Sequence, residues 1–393
     1  MKKIWLLAVV ASLISASLFA QVWTQAPTGP VPISNTVPEA SGYRIESYIQ
    51  GLEHPWSLAF LPDGRILVTE RPGRLRVING AKLEAAPIGG TPKVFASGQG
   101  GLLDVSAHPR FHENSIIYLT YSAGSAEANR TSLVKARLLG GELKDSTVIF
   151  QVAEPKAGAQ HFGSRISWLD DTSFLMSIGD GGNPPATIRG ELSRNQAQNE
   201  GMHFGKIIRL DENGNAIPPG PFKSTHALPE LWTIGHRNIQ GLFVDRESKR
   251  VWATEHGSRG GDELNLIVRG GNYGWPLVTY SLEYFGPRIS DKTSAEGFID
   301  PKLVWTPSIA PSGLLLYSGD AFPSWRGNLF SGNLAGAQIR RIILTGDTVT
   351  GEEMIPVGKR VRDVRQGPDG LIYLLTDQPE GEVLRLIPDP ATQ

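Results

Sequence analysis

Six times along the chain an apolar run leads into a turn carrying Asp or Gly and then into a second apolar run, and this unit limits the possible folds more than any other feature. Residues 58–68 read Leu-Ala-Phe-Leu-Pro-Asp-Gly-Arg-Ile-Leu-Val, and residues 363–375 repeat the pattern around Gly367-Pro368-Asp369-Gly370. Looser copies cover 105–120, 166–178, 242–254 and 314–330. Asp-Gly between apolar runs predicts a β-hairpin whose tight turn puts both central residues at positive φ. The copies recur every ~50 to 75 residues, the length of a four-stranded blade plus an insertion loop. Helical periodicity is weak beyond the N terminus. The expected fold is therefore all-β, a six-bladed β-propeller with four-stranded antiparallel blades, in which a strand near 43–49 completes the last blade beside 383–387. A ring of seven or eight irregular blades is the alternative parsing, and the missing WD signature argues against one common version of it. Radial blades leave a central channel, and ligands gather at its loop face.

The N terminus has Lys2 and Lys3, an apolar run over 4–19, and the small residue Ala20. That pattern reads as a secretory signal over 1–20, because the run is short and no stop-transfer pattern follows. A periplasmic or secreted protein is expected. Residues 21–42, rich in proline and polar side chains from 26 to 38, read as an extended arm, and 43–393 as one propeller domain. The 393 residues include no cysteine, which rules out disulfides and thiolate metal ligands. A net charge of −1 argues against nucleic acid or a membrane surface as partner. No later segment is apolar enough to span a bilayer. Serine-hydrolase elbows, zincin motifs, P-loops and dinucleotide-binding glycine motifs are all absent.

The densest chemistry lies between 235 and 276. Gly235-His236-Arg237-Asn238-Ile239-Gln240-Gly241 is followed by Thr254-Glu255-His256-Gly257-Ser258-Arg259-Gly260-Gly261-Asp262-Glu263, and then by Gly271-Asn272-Tyr273-Gly274-Trp275-Pro276. Glycines at this density let backbone groups face a ligand. Arg237 and Asn238 supply donors suited to an anion, and Glu255, Asp262 and Glu263 supply hard oxygens for a cation. A set of turns in an ordinary all-β protein is the plainer reading of the same glycines. Glycines also flank Gln99 and His161, which places each on a tight loop ahead of a repeat. Arg360 and Arg362, spaced i and i+2, fit a strand entry with both guanidiniums on one side; taken alone they read as a solvated strand edge.

These ordered motifs resemble those of the soluble pyrroloquinoline quinone (PQQ)-dependent aldose sugar dehydrogenases, and the similarity runs from about residue 51 to 388. The resemblance implies PQQ and Ca2+ as cofactors and oxidation of an aldose at C1 to the lactone. It makes His161 the base and Arg237 the stabiliser of developing negative charge. Gln99, Arg237, Asn238, Tyr284, Asn333, Leu334, Ala335, Arg360, Val361 and Arg362 match positions around the quinone. It further implies that the carbonyls of Gly257 and Ser258 hold a cofactor-bound calcium, and that Glu263 and Tyr273 help hold a structural one. The family often has proline where Ser258 stands, and a carbonyl ligand survives that change.

One departure concerns the quinone pocket. The family commonly reads Ser-Leu-Lys or Ala-Leu-Lys where this chain has Asn333-Leu334-Ala335, so a lysine is missing; Gln338, Arg340 and Arg341 are the candidates to replace it. No haem motif occurs, so electrons must pass to an external acceptor, a cytochrome or a quinone. Two rivals remain: a calcium-dependent sugar lactonase, and a non-catalytic binding propeller.

Overall fold

The computed structural model describes residues 30–34 and 36–389; the expected signal segment lies outside them. Six blades, each with four antiparallel strands, follow one another along the chain, the fourth blade extended by a short parallel strand from the arm. Blade 1 is Pro55–Phe60, Ile66–Glu70, Arg74–Asn79 and Lys82–Leu83, and blade 2 is Leu102–Ala107, Ile116–Gly124, Asn129–Leu139 and Glu142–Gln151. Blade 3 comprises Ile166–Trp168, Ser173–Ile178, Lys206–Asp211 and Leu231–Ile234; blade 4 comprises Ile239–Val244, Val251–Glu255, Asp262–Leu266 and Leu303–Trp305. Blade 5 runs Pro311–Leu316, Leu329–Asn333, Gln338–Thr345 and Thr348–Pro356. Blade 6 takes Val361–Gln366, Ile372–Thr376 and Gly381–Pro388 from the C terminus and its fourth strand, Tyr43–Leu52, from the N terminus. Tyr43 pairs with Pro388 and Leu52 with Gly381, so the ring is closed by the two ends of the chain. The six-bladed expectation holds, and the seven- and eight-bladed parsings fall.

The Asp-Gly loops depart from the expected turn. Last pairs Phe60 with Ile66 and Gln366 with Ile372 leave five-residue loops, in which only the glycines take positive φ, Gly64 at 87° and Gly370 at 77°. The reason is the aspartate: Asp63 and Asp369 each accept a hydrogen bond from the backbone N–H two residues on, at 3.1 Å. Such Asx turns reverse the chain without a left-handed Asp.

Alternation within strands buries one apolar set against each neighbouring blade, so the core is divided into interblade wedges. Leu67, Leu75, Leu102 and Leu119 fill the wedge between blades 1 and 2, and Val364, Leu374, Phe330 and Ile339 the wedge between blades 5 and 6. Along the arm, Ile33–Ser34 pairs parallel to Val304 and Trp305, and Ala40 donates to the Met354 carbonyl. Below the loop face, the axis is closed by charge rather than by apolar packing. Arg165, 2% exposed, lies over Trp56 at 4.1 Å, pairs with Asp104 and Asp363 at 3.4 and 3.1 Å, and donates to the carbonyls of Gln240 and Arg362. One side chain thus joins five blades and floors the channel.

Candidate active site

Every loop that enters an innermost strand, and every loop joining a blade's second and third strands, emerges at the same end of the ring. Gln99, His161, Asp180, Arg237, His256 and Asp377 all stand on such loops, although they are spread over most of the chain. Gln99, His161, Arg237, His256, Tyr284 and Phe285 border a cleft of ≈ 650 Å³.

His161 has φ = 53°, a left-handed conformation uncommon outside glycine. Its N–H donates to Gln99 Oε1 at 2.9 Å, and Gln99 N–H donates to the Ala159 carbonyl at 2.8 Å. Gly179 makes the close approach possible, since a Cβ there would sit 2.2 Å from the His161 carbonyl oxygen. His161 Nδ1 lies 2.6 Å from Asp180 Oδ1. Asp180 also accepts from Gly182 N–H at 3.1 Å and, through Oδ2, from Trp275 Nε1 at 2.9 Å. A carboxylate at Nδ1 fixes the proton there and leaves Nε2 as an acceptor. Burial, followed by the Arg237 charge, pushes the His161 pKa down against the pull of Asp180, so the ring is neutral. Burial would raise the Asp180 carboxyl, but His161, Arg237 and the Gly182 N–H outweigh it and hold it below the usual range. The result is an aligned, neutral base backed by a charged carboxylate.

Arg237 is held at its backbone by Glu255 Oε2 (2.6 Å), and its Nη1 donates to the carbonyls of His256 and Gly257 at 3.1 and 2.6 Å. Its Nη2 is buried without a partner, and so are Asn238 Nδ2, Asn333 Nδ2 and Arg362 Nε. Unpaired buried donors are costly; four of them around one loop face fit a polyanionic guest. His256 Nε2 donates to the Pro311 carbonyl at 2.8 Å, and burial with nearby Arg237 pushes its pKa down to about 3. It is a neutral wall.

Not every residue singled out in the sequence reaches the cleft. Asn238 lies beneath it, accepting from Gly163 N–H and Gln240 Nε2, while Arg362 Nη1 donates to Gln240 Oε1 at 3.2 Å. Arg360 and Arg362 do share a side, as their spacing predicts: both donate to Asp377 Oδ2, at 3.0 and 2.9 Å. They are therefore not a bare strand edge. The side chain of Val361 is fully buried in the wedge between blades 5 and 6, so only its backbone could meet a guest. Leu334 is buried too, and its carbonyl accepts from Arg360 Nη1 at 2.7 Å. Ala335 extends the same loop, its N–H on the Ile309 carbonyl. Arg340 and Arg341 are paired with cross-strand Glu352 and Glu353 rather than free to replace the missing lysine, although Arg340 Nε is buried without a partner. Gln338 remains near this loop, with Oε1 buried and unpaired.

Among the described residues no group of three or more His, Cys, Asp or Glu side chains is set to hold a metal, so a cation here must draw part of its ligand set from carbonyls. The Gly257 carbonyl already accepts from Arg237, so a cation and this guanidinium compete for it. A second chamber, bordered by Gly235, Glu255, Glu263, Tyr273, Thr279 and Ser281, measures ≈ 10 Å³, enough for one water-sized occupant. Burial and the adjacent Glu255 raise the Glu263 pKa well above the ordinary carboxylate value; a hard cation would relieve both causes, so the donor set fits one. The hydroxyl of Tyr273 is turned away, donating to the Leu266 carbonyl and accepting from Val268 N–H. Only its carbonyl can serve. Asp262 is not a ligand, because its carboxylate accepts from Gly257 N–H, Ser308 Oγ and the Ile309 and Ala310 N–H groups.

Sequence reasoning missed Asp180 and Asp377. Asp180 carried a signal in Gly179-Asp180-Gly181-Gly182, an acid between glycines at a strand end; Asp377 carried none beyond its place after an apolar strand.

A propeller presenting a buried His–Asp pair near buried, unpaired donors has the groups to accept a proton next to an anionic guest. The Glucose / Sorbosone dehydrogenase family profile matches residues 52–385, and the chain belongs to that family of oxidoreductases. It is 37% identical over 353 residues to the aldose sugar dehydrogenase YliI of Escherichia coli, covering 88% of this chain and 92% of that relative. The crystal structure of the soluble aldose sugar dehydrogenase from Escherichia coli in the apo-form superposes with a TM-score of 0.82 at 36% identity, over 88% of this chain and all of that one. The PQQ-bound aldose sugar dehydrogenase from Streptomyces coelicolor gives 0.70 at 27% identity, over 90% of this chain and again all of the other.

Proposed function

We propose that the protein oxidises the C1 hydroxyl of aldose sugars to lactones with PQQ and calcium, outside the cytoplasm, and passes the electrons to an external acceptor. The observation that carries this reading is the buried His161–Asp180 pair on a cleft bordered by Arg237, whose Nη2 is buried without a partner, as are Asn238 Nδ2, Asn333 Nδ2 and Arg362 Nε. A lactonase acting on a neutral ring ester has no use for these donors, and a binding propeller has none for the His161–Asp180 pair. Those donors, with Gln99 and the half-exposed Arg360, would hold the quinone carboxylates; the carbonyls of Gly257 and Ser258 would hold one calcium, and Glu263 with the Tyr273 carbonyl a structural one. When bound, the quinone supplies a hydride acceptor and the calcium a Lewis acid.

The chain's own residues supply the rest. His161 Nε2 takes the proton of the C1 hydroxyl, which its neutral state and fixed tautomer allow. Asp180 stays ionised and stabilises the imidazolium that forms. Arg237, on the cleft wall, stabilises negative charge developing beside it. Tyr284, about half exposed on the rim, would offer an aromatic face to the quinone. Among the described residues no helix is long and apolar enough to cross a membrane, and the expected signal directs the protein to the periplasm or beyond.

The test is spectroscopic. PQQ and calcium are added to purified protein, then an aldose; bleaching of the oxidised quinone by sugar is expected. Lactone hydrolysis without bleaching would instead support the lactonase, and no PQQ spectrum change at all would overturn the reading.

A further inference from the structure

Lys156 lies in the loop between blades 2 and 3, five residues before His161, and it is only 4% exposed. Its backbone is locked, exchanging two hydrogen bonds of 2.8 Å with Asn129. The ammonium is not. Nζ donates to the Gly158 carbonyl at a long 3.3 Å, a carbonyl that Asn129 Nδ2 already engages at 2.6 Å. It also rests 4.2 Å from the centroid of Phe162, the residue after His161. Its methylene stem packs against Gly181, the residue after Asp180, where an added Cβ would come within 3.4 Å of Lys156 Cδ. A buried charge is normally neutralised by a close partner. Here the acid that acts on the ammonium is Asp180, reached through space, and Asp180 is committed to His161, Trp275 and Gly182.

We propose that Lys156 is a positioning residue of the proton-transfer site: its buried ammonium, packed on Phe162 and Gly181, opposes a second proton on His161 and so helps keep the ring neutral beside Asp180. The inference rests on the reading of His161 as the base. Four charged or titratable groups act on that ring: Asp180 from the loop after Ser173–Ile178, Arg237 from the loop before Ile239–Val244, His256 from the loop after Val251–Glu255, and Lys156 from the loop before blade 3. His256 is neutral and Arg237 permanently charged, so Lys156 is the member whose charge changes in the alkaline range. Burial brings its own pKa down to about 8 against the pull of Asp180. Below that pH the ammonium opposes protonation of His161; above it the opposition disappears.

The test uses the full-length protein without cofactor or sugar, with the His161 ring nitrogens followed by NMR against pH. In Lys156→Met the His161 titration midpoint should move up, and in Lys156→Arg, which keeps a charge, it should return toward wild type. In turnover, Lys156→Met should lose about 3- to 10-fold in kcat/KM on the acidic limb, where a like charge matters, and converge with wild type above pH 8, where Lys156 is itself neutral. In the wild type alone, which needs no variant to fold, the His161 signals should show a second inflection near pH 8. An unchanged His161 midpoint in Lys156→Met, or no inflection in the wild type, overturns the proposal. Because the NMR arm contains neither quinone nor sugar, its result stands or falls apart from the proposed oxidation.

Discussion

Replacing Asp180 by Asn should nearly abolish turnover while leaving a folded protein. In the native site Oδ1 accepts from His161 Nδ1 and Gly182 N–H, and Oδ2 from Trp275 Nε1. An amide has one acceptor where the carboxylate has two. If its oxygen serves the indole, which can only donate, its NH2 faces His161 Nδ1, moves the ring proton to Nε2 and removes the base. If instead its oxygen serves His161, the indole N–H is orphaned. In either orientation the negative charge opposite the forming imidazolium is gone. Taking charge centres about 4 Å apart and an effective dielectric of about 20, that charge contributes about 4 kcal/mol, or roughly a thousandfold in rate. One orphaned buried donor adds about 1 to 3 kcal/mol of lost stability. The assay is dye-coupled sugar oxidation with PQQ and calcium saturating, alongside a thermal melt. Comparison with His161→Ala is the control: in that background Asp180→Asn should have little further effect on turnover, because both act through one proton. Turnover within tenfold of wild type, or an equal loss in both backgrounds, would refute the reasoning.

Arg362 and Arg360 share Asp377 but differ in burial, with side chains 8% and 51% exposed. Arg362→Ala should therefore cost about 3 kcal/mol of stability by leaving a buried carboxylate half-paired, whereas Arg360→Ala should leave the melt almost unchanged and weaken PQQ binding by about 1.5 to 3 kcal/mol; melts and PQQ titrations at fixed calcium separate the two. Chelation should lower the thermal midpoint as well as abolish activity, with a midpoint that climbs with free calcium, and Glu263→Gln should remove that dependence; a midpoint indifferent to calcium counts against the chamber beside Glu255.

The ring was legible because a hairpin is a local event. Asp63-Gly64 and Asp369-Gly370 mark their loops whatever surrounds them, and only the turn geometry departs from expectation, because the aspartate's own hydrogen bond reverses the chain. Gln99, His161 and Arg237 were legible for a similar reason: polar residues between glycines announce a loop that faces a ligand. What the sequence hides is pairing across distance. Arg340 and Arg360 look alike in one dimension, yet the register of Gln338–Thr345 with Thr348–Pro356 sets the first beside Glu352, while the second meets Asp377 on another hairpin. Trp275 lies 95 positions from Asp180, and nothing in the spacing of either announces their contact.

The seam between Tyr43–Leu52 and Gly381–Pro388 also dictates when the molecule can become itself. A chain emerging N terminus first must hold its opening strand unpaired until almost all the rest has been delivered, because that strand's partner comes last. The final blade therefore forms late, through a contact of nearly maximal sequence separation, which is slow. Until then Tyr43–Leu52 is a free edge, open to the same backbone pairing from another copy. Arg362 lies on the blade completed by that seam and Arg165 reaches into it, so the floor of the site is finished in the same event. A half-delivered chain would expose an edge but no working cleft, and activity would appear only with the closed ring.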